Sequence, residues 1–463
     1  MKPSIYEEIV HAIPCVQVDV VEAGTRARRG RTACEIDGDL TFSTSHLESY
    51  CLAQWEPVVF DALVVAAAIE FCDRLQRRHT QHWGRAIDVR IPVHDPDRWN
   101  ARDVSLALKD ALDFLTGDRW TVAFVARRMP AYVPHQFPFA MPGESCAVIP
   151  FSEGLDSRAV AGLMHKEMGD QLIRVRLGSK EFQPVIGASG MKQPFTSIPY
   201  RVKPKKGEFV ESSVRSRGFK FSMVSGIAAY MVKADRIIVT ESGQGSLGPA
   251  LVPVGQAYED YRNHPLFTDR MERLLKALFG HAVRFEYPRL WHTKGETLAA
   301  FVRDCADGPA WKTTWSCWQQ NRHSSVSGRK RQCGVCAACF LRRLSVHAAG
   351  LKEVPETYVW ENLSAPTFEG GAAPAFDRIT KAQREYAIAG ALHLDHLAAL
   401  RRSPANKGTL DLAVSQLSRS RAIPEADVQA SLTRLLVQHE SEWMQFLEDL
   451  GPDSFVANWA ARP

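Results

Sequence analysis

The chain has 463 residues, 45% of them apolar and 24% charged, with a formal charge of +5. That length exceeds what one hydrophobic core usually serves, so two or three domains are expected, and the composition excludes a disordered or fibrous chain. The small basic excess permits an anionic small molecule or an RNA as partner but does not demand a nucleic acid.

The opening residues, MKPSIYEEIVHAIPC, carry no long apolar core after the basic residue, and no apolar run reaches about 18 residues. The expectation is a cytoplasmic protein with no membrane partner. Residues 1–140 mix strands and helices and read as an α+β N-terminal domain. RTACEIDGDLTFST reads as a hairpin around Asp37-Gly38. PVVFDALVVAAAIEFC, residues 57–72, reads as a buried helix despite Asp61 and Glu70. RAIDVRIPV and RWTVAFVARR read as strands flanking a helix whose apolar spacing runs through Val104, Leu106, Leu108, Ala111, Leu112 and Leu115. Four prolines in residues 130–142 mark a linker or extended lid and a boundary.

Residues 144–350 alternate short apolar strands with helices. The strands are CAVIPF, QLIRVRL, RIIVT and AVRFEY; the helices lie over 156–168, 214–233, 265–279 and 293–304. That alternation predicts an α/β domain with a doubly wound parallel sheet covered on both faces. Residues 352–463 read as a helical C-terminal region, with helical apolar spacing in AFDRITKAQREYAIAGALHLDHLAALRR and PEADVQASLTRLLVQHESEWMQFLEDL.

Two motifs carry chemistry. The first is Ser152-Glu153-Gly154-Leu155-Asp156-Ser157, between a predicted strand and a predicted helix. Ligands of open parallel sheets bind beyond the carboxyl ends of the strands, and the N–H groups that begin a helix favour an anion. Gly154 permits a close backbone approach or a positive φ, and Ser152 and Ser157 add hydroxyl groups. The turn lacks the lysine of the GxxxxGK[ST] loop. A plain helix cap at Asp156 or Ser157 accounts for the same residues.

The second motif is C-x15-C-x2-C-x2-C, formed by Cys317, Cys333, Cys336 and Cys339. The other six cysteines, at 15, 34, 51, 72, 146 and 305, are scattered. Two overlapping CxxC steps and a distal cysteine close a tetrahedral zinc site with no open position, which is therefore structural. The intervening SSVSGRKRQ reads as a solvated basic loop.

The turn resembles the SGGxDS pyrophosphate loop of the PP-loop ATP pyrophosphatases, with Glu153 where that family has glycine. Together with the cysteines, it makes residues 147–350 resemble QueC, the 7-cyano-7-deazaguanine synthase family. SVRSRGFKFSMVSGIAAYM is similar to the family's arginine-bearing segment, VTESGQG to its turn after the next strand, and HTKGET to its Thr-Lys-x-Glu helix start. The resemblance implies a HUP-like PP-loop core, with ATP, Mg²⁺ and Zn²⁺ as cofactors. It assigns ATP to Ser152, Gly154, Leu155, Asp156, Ser157, Arg215 and Gly243, and catalysis to Asp156, Arg217 and Lys294. His264 and Asp269 are candidates for the base pocket, or simply capped or exposed loop residues.

QueC enzymes are shorter, their Tyr-Pro-Asp-Cys-Arg segment is replaced here by NHPLFTDR, and the first cysteine gap is wider. These departures resemble the enlarged QueC-like proteins of anti-phage operons, such as the Qat system and type IV CBASS. That branch implies an ATP-dependent ligase that activates 7-carboxy-7-deazaguanine and joins it to a partner protein. Three alternatives stay open. They are free nitrile synthesis from ammonia, a tRNA-modifying PP-loop enzyme, and a nucleotide-binding scaffold without turnover.

Overall fold

The computed structural model describes residues 15–43, 56–78, 83–130, 147–178, 198–255, 257–319 and 324–460. It is α/β, with parallel sheets, flanking helices and a helical C-terminal region. The chain packs into two compact units. One gathers residues 1–151, 168–239 and 260–286, and the other residues 152–167, 240–259 and 287–463. The proline-rich 131–146 stretch lies outside the described residues. Among the described residues, no helix is long and apolar enough to cross a membrane.

Among the described residues the first unit holds eleven strands: β1 (Cys15–Val21), β2 (Thr32–Glu35), β3 (Leu40–Phe42), β4 (Ala86–Val93), β5 (Arg119–Ala126), β6 (Ala147–Pro150), β7 (Leu172–Val175), β8 (Leu177–Gly178), β9 (Ile198–Val202), β10 (Arg236–Ile238) and β11 (Arg284–Glu286). Two four-stranded sheets, ordered β2-β1-β4-β5 and β11-β10-β6-β7, are parallel throughout. All four strands predicted between 144 and 290 fall in the second sheet, with QLIRVRL divided between β7 and the short β8.

The hairpin expected around Asp37-Gly38 does not form. The chain does turn there, with Asp37 at φ 63° and its N–H bonded to Leu40 O at 2.8 Å. The flanking strands then part: β2 joins β1 in parallel, while β3 pairs antiparallel with β9. Alternation and a turn signal specify a reversal but not the partner, and the distant β9 is the partner that β3 takes.

Helix Pro57–Leu75 is buried on nearly every face, as an almost wholly apolar helix must be. Asp61 and Glu70 are satisfied. Asp61 accepts the His94 N–H at 2.9 Å and meets His94 Nδ1 at 2.7 Å, and Glu70 pairs with Lys220 at 2.7 Å. On helix Arg102–Thr116 the predicted apolar set is buried except Leu106, which is exposed. Leu106 lies two residues from both Val104 and Leu108, about 200° round the helix from each.

Beside these elements Asp73, Asp118, Arg78 and Arg85 form a buried square of ion pairs, each 2.7–2.8 Å long. Asp118 also accepts the Arg85 backbone N–H at 2.9 Å.

Among the described residues the second unit is helical apart from one two-stranded ribbon. One of its cores unites helices Leu155–Met168, Lys294–Asp304 and Ala337–Ala348 through Leu155, Ala159, Leu298, Phe301, Trp311 and Val346. A second packs Leu247 and Leu290 against Leu397, Leu417, Leu432 and Leu435 of the C-terminal helices. The third surrounds the four cysteines.

Removing Asp118 leaves two guanidinium groups buried and underpaired. Asp118→Ala is expected to lower unfolding free energy by about 3–5 kcal/mol, the usual penalty for breaking a buried pair from one side, as read from urea unfolding.

Candidate functional site

In sequence, the turn Ser152–Ser157 follows β6 and opens helix Leu155–Met168. Ser157 Oγ accepts the Ser152 N–H at 2.8 Å, and Ser152 Oγ accepts the Gly154 N–H at 3.2 Å, so the two serines brace the turn across its mouth. The first intrahelical bond runs from Arg158 N to Gly154 O. The N–H groups of Leu155, Asp156 and Ser157 therefore precede the helical ladder, as an anion site requires.

Gly154 does not use a positive φ. What it provides is room, because a Cβ there would stand 3.1 Å from Ser152 Oγ. Glu153 is exposed, and its main-chain oxygen accepts the Trp315 N–H at 2.8 Å. Its carboxylate thus sits in water. Leu155 is buried in the core shared with Leu298, Phe301 and Val346, which anchors the turn to the other two helices.

Asp156 and Lys294 are 138 residues apart and form a buried ion pair, Lys294 Nζ to Asp156 Oδ2. Ser242 Oγ stands 3.5 Å from Asp156 Oδ1. Lys294 is the first residue of its helix, behind a full capping box. Thr293 Oγ1 accepts the Glu296 N–H and the Glu296 carboxylate accepts the Thr293 N–H. Burial opposes ionisation of Glu296. The Arg434 guanidinium and the Thr293 N–H outweigh it and hold that carboxyl below the usual range.

Thr293 Oγ1 also donates to Glu442 Oε1 at 2.6 Å. Burial pushes the Glu442 carboxyl up to about 7, despite the bonds from Thr293 and Gln438. Gly243, in the VTESGQG turn, donates its N–H to His292 O at 2.9 Å, and a Cβ there would collide with Leu290 O and Leu435.

The four cysteines are buried, with their sulfurs all within 4.8 Å of one another. A tetrahedral zinc site with bonds of about 2.3 Å places sulfurs about 3.8 Å apart, and Cys333 Sγ and Cys339 Sγ are 3.8 Å apart. The surrounding backbone is arranged for thiolates. The N–H of Cys333 donates to Cys317 Sγ at 3.1 Å, and that of Cys336 to Cys333 Sγ at 3.2 Å. Gly334, at φ 89°, makes the knuckle between them. Cys336 caps helix Ala337–Ala348 and Cys339 lies in its first turn, where the helix dipole favours negative charge. The cluster fits a closed zinc site. The stretch read as a loop is a ribbon, Ser325–Val326 paired with Arg329–Lys330 around Ser327-Gly328, and Arg329 and Lys330 are exposed.

The remaining predicted residues belong to the first unit. Arg215 is buried, 4.7 Å over the Trp83 ring and 3.8 Å from Asp260, and burial lowers its pKa. Arg217 is exposed and begins helix Arg217–Val232. His264 caps helix Pro265–Phe279, accepting the Leu266 N–H at 3.2 Å, and burial pushes it down to about 3. Asp269 lies within that helix, half-buried.

Residues 203–350 match the family model described as Queuosine biosynthesis protein QueC. This region is QueC-like. The match takes in Arg215, Arg217, Gly243, Lys294 and all four cysteines, about a third of the chain, and begins after the Ser152–Ser157 turn. No curated protein matches the chain.

Sequence reasoning missed Ser242, Gln244, His439 and Glu442, which converge on Asp156 and on the start of the Lys294 helix. Ser242 and Gln244 stood in a quoted motif. His439 lies 195 residues beyond Gln244, and Glu442 149 beyond Thr293, in a helix whose apolar pattern gives no cue to its polar contacts.

Two outcomes follow. Cys339→Ser should leave less than one equivalent of zinc in the purified chain by elemental analysis, and lower its melting point. Glu442 binds a proton more tightly folded than unfolded, so stability falls as pH rises from 4.5 to about 7. Glu442→Gln should flatten the thermal midpoint over that window and raise it at pH 8.

Proposed function

We propose that the chain uses ATP to activate the carboxylate of 7-carboxy-7-deazaguanine and joins it to an amine. The observation that carries this reading is the presence of the braced Ser152–Ser157 turn, the buried Asp156–Lys294 pair and the four-cysteine cluster in one unit, in a chain whose residues 203–350 are QueC-like.

A carboxylate does not acylate an amine at neutral pH, because oxide is a poor leaving group. In the proposed reaction a carboxylate oxygen attacks the α-phosphorus of ATP, a P–O bond forms, and the bond to the β-phosphate oxygen breaks. Pyrophosphate leaves. An amine then attacks the acyl carbon, AMP departs with the former carboxylate oxygen, and the amine proton goes to solvent. The protein must hold two anions together and meet the charge that develops between them.

The helix N–H groups and the Ser152 hydroxyl suit pyrophosphate. Lys294, drawn from Asp156, suits the α-phosphate. Arg215 and Arg217 are further candidates for phosphate. Asp156 is the carboxylate suited to Mg²⁺, which would screen phosphate charge. Zinc at the cysteines would hold the fold and take no part in the reaction.

The enlarged anti-phage branch is the reading we favour for the whole chain. About two thirds of it lies outside the QueC-like match. On that reading the acceptor is an amine of a partner protein, and residues 1–140 and 352–463 serve its docking. Ammonia as acceptor would instead give the amide, and a second ATP, activating the amide oxygen so that it leaves with AMP, would give the free nitrile.

AMP and pyrophosphate release from ATP, with Mg²⁺, should depend on added 7-carboxy-7-deazaguanine. Asp156→Ala should reduce it roughly a hundredfold, the scale of losing one group that meets developing charge. ATP bound tightly with no AMP formed, with or without the deazaguanine and ammonium, would overturn the reading.

A further inference from the structure

We infer that helix Glu425–Leu450 is part of the adenylation site, and that Gln244 and His439 form a hydrogen-bond relay that positions Lys294. The inference rests on the reading that Lys294 meets phosphate.

Two side chains of this one helix, Arg434 and Glu442, reach the start of the Lys294 helix directly, and a third, His439, reaches it through Gln244. Arg434 binds the Glu296 carboxylate and donates to Trp291 O at 2.6 Å. Gln438 donates to Glu442 Oε1 at 3.1 Å, and Glu442 takes the Thr293 hydroxyl. His439 meets Gln244, which meets Lys294. Residues 434, 438 and 442 are spaced by four, so they line one face.

The relay has a single polarity. The Lys294 backbone N–H donates to Gln244 Oε1 at 2.8 Å, which leaves the Gln244 amide nitrogen facing His439 Nδ1 at 2.7 Å. That nitrogen must therefore be bare. The other, Nε2, lies 2.9 Å from Leu394 O and must carry the proton. Burial holds His439 down to about 4, so the neutral ring is the form present near pH 7. His393, the titratable group beside it, is itself held at about 4 by burial.

The N–H of a first helical residue has no partner within its helix. Here a fully buried histidine, through Gln244, fixes that donor. The first turn is thereby locked in rotation, and Lys294 Nζ is delivered to Asp156 rather than to solvent.

The test is steady-state AMP release by the full chain with ATP, Mg²⁺ and 7-carboxy-7-deazaguanine. Lys294→Ala is measured first. Unchanged release there would defeat the role given to Lys294, whatever the relay does. With that loss established, His439→Leu should lower kcat about tenfold or more with the KM for ATP within about twofold, because a displaced Lys294 is missed chiefly in the transition state. His439→Gln, which can again accept from Gln244 and donate to Leu394 O, should restore kcat. In the Lys294→Ala background His439→Leu should add no further loss. Unchanged kcat in His439→Leu, or the same fold loss with and without Lys294, would overturn the relay.

If His439→Leu does not fold, Gln244→Glu serves instead. Its carboxylate needs a proton on His439 Nδ1 while Nε2 keeps its own, so the relay closes only with the imidazolium. The kcat of that variant should be highest at low pH and fall as His439 deprotonates, with no such fall in the parent. A loss equal at every pH would overturn the relay.

Discussion

The pairing of Asp156 with Lys294 is the constraint on which the second unit's design turns. Two charged groups taken out of water gain little from each other unless their geometry is held from outside. Apolar residues of similar size would stabilise the same fold at least as well. The pair persists because each partner begins a helix, and the two helices share one core through Leu155, Leu298 and Phe301. A change in that core would displace both charges, with no contact to either.

The same core reaches the cysteines. Val346 belongs to the helix whose first turn carries Cys339, and it packs on the core that holds Leu155. A metal held by the cysteines at one end of that helix would fix its entry, and the apolar contacts at the other end would carry that rigidity toward the turn. On the proposed reading, zinc held by these cysteines would support a nucleotide site without touching the nucleotide. This also fits the wide gap between Cys317 and Cys333. A ribbon occupies residues 325–330 of it, and Arg331 at its foot pairs with Glu361 at 2.6 Å, so that part is tied to the chain that follows.

Much of this was legible in the sequence, for stated physical reasons. Short apolar strands between helices gave a parallel sheet, and cysteine spacing gave a cluster, because both signals are local and periodic. β3 went wrong because the deciding fact was distant, and Leu106 because its apolar type was read without its angle round the helix. A residue 200° from its neighbours leaves the face, and a strand takes the partner that burial offers. The turn was legible as an anion site, but the purpose of its glycine was not, since a need for space leaves the same trace as a need for positive φ. Gln244, His439 and Glu442 were illegible because a buried polar contact is specified by two positions far apart, neither unusual alone.

Charge balance gives the last step. Lys294 is already neutralised by Asp156, and Glu296 by Arg434. Within these two pairs there is no surplus positive charge for ATP. On the proposed reading the nucleotide is admitted when Lys294 turns from the carboxylate to phosphate, which leaves Asp156 buried and bare. A bare buried carboxylate is costly, so a cation must arrive with the nucleotide. The pair therefore couples nucleotide entry to metal entry. A turn braced by its own serines and a helix start locked by Gln244 and His439 leave Nζ as the part that moves.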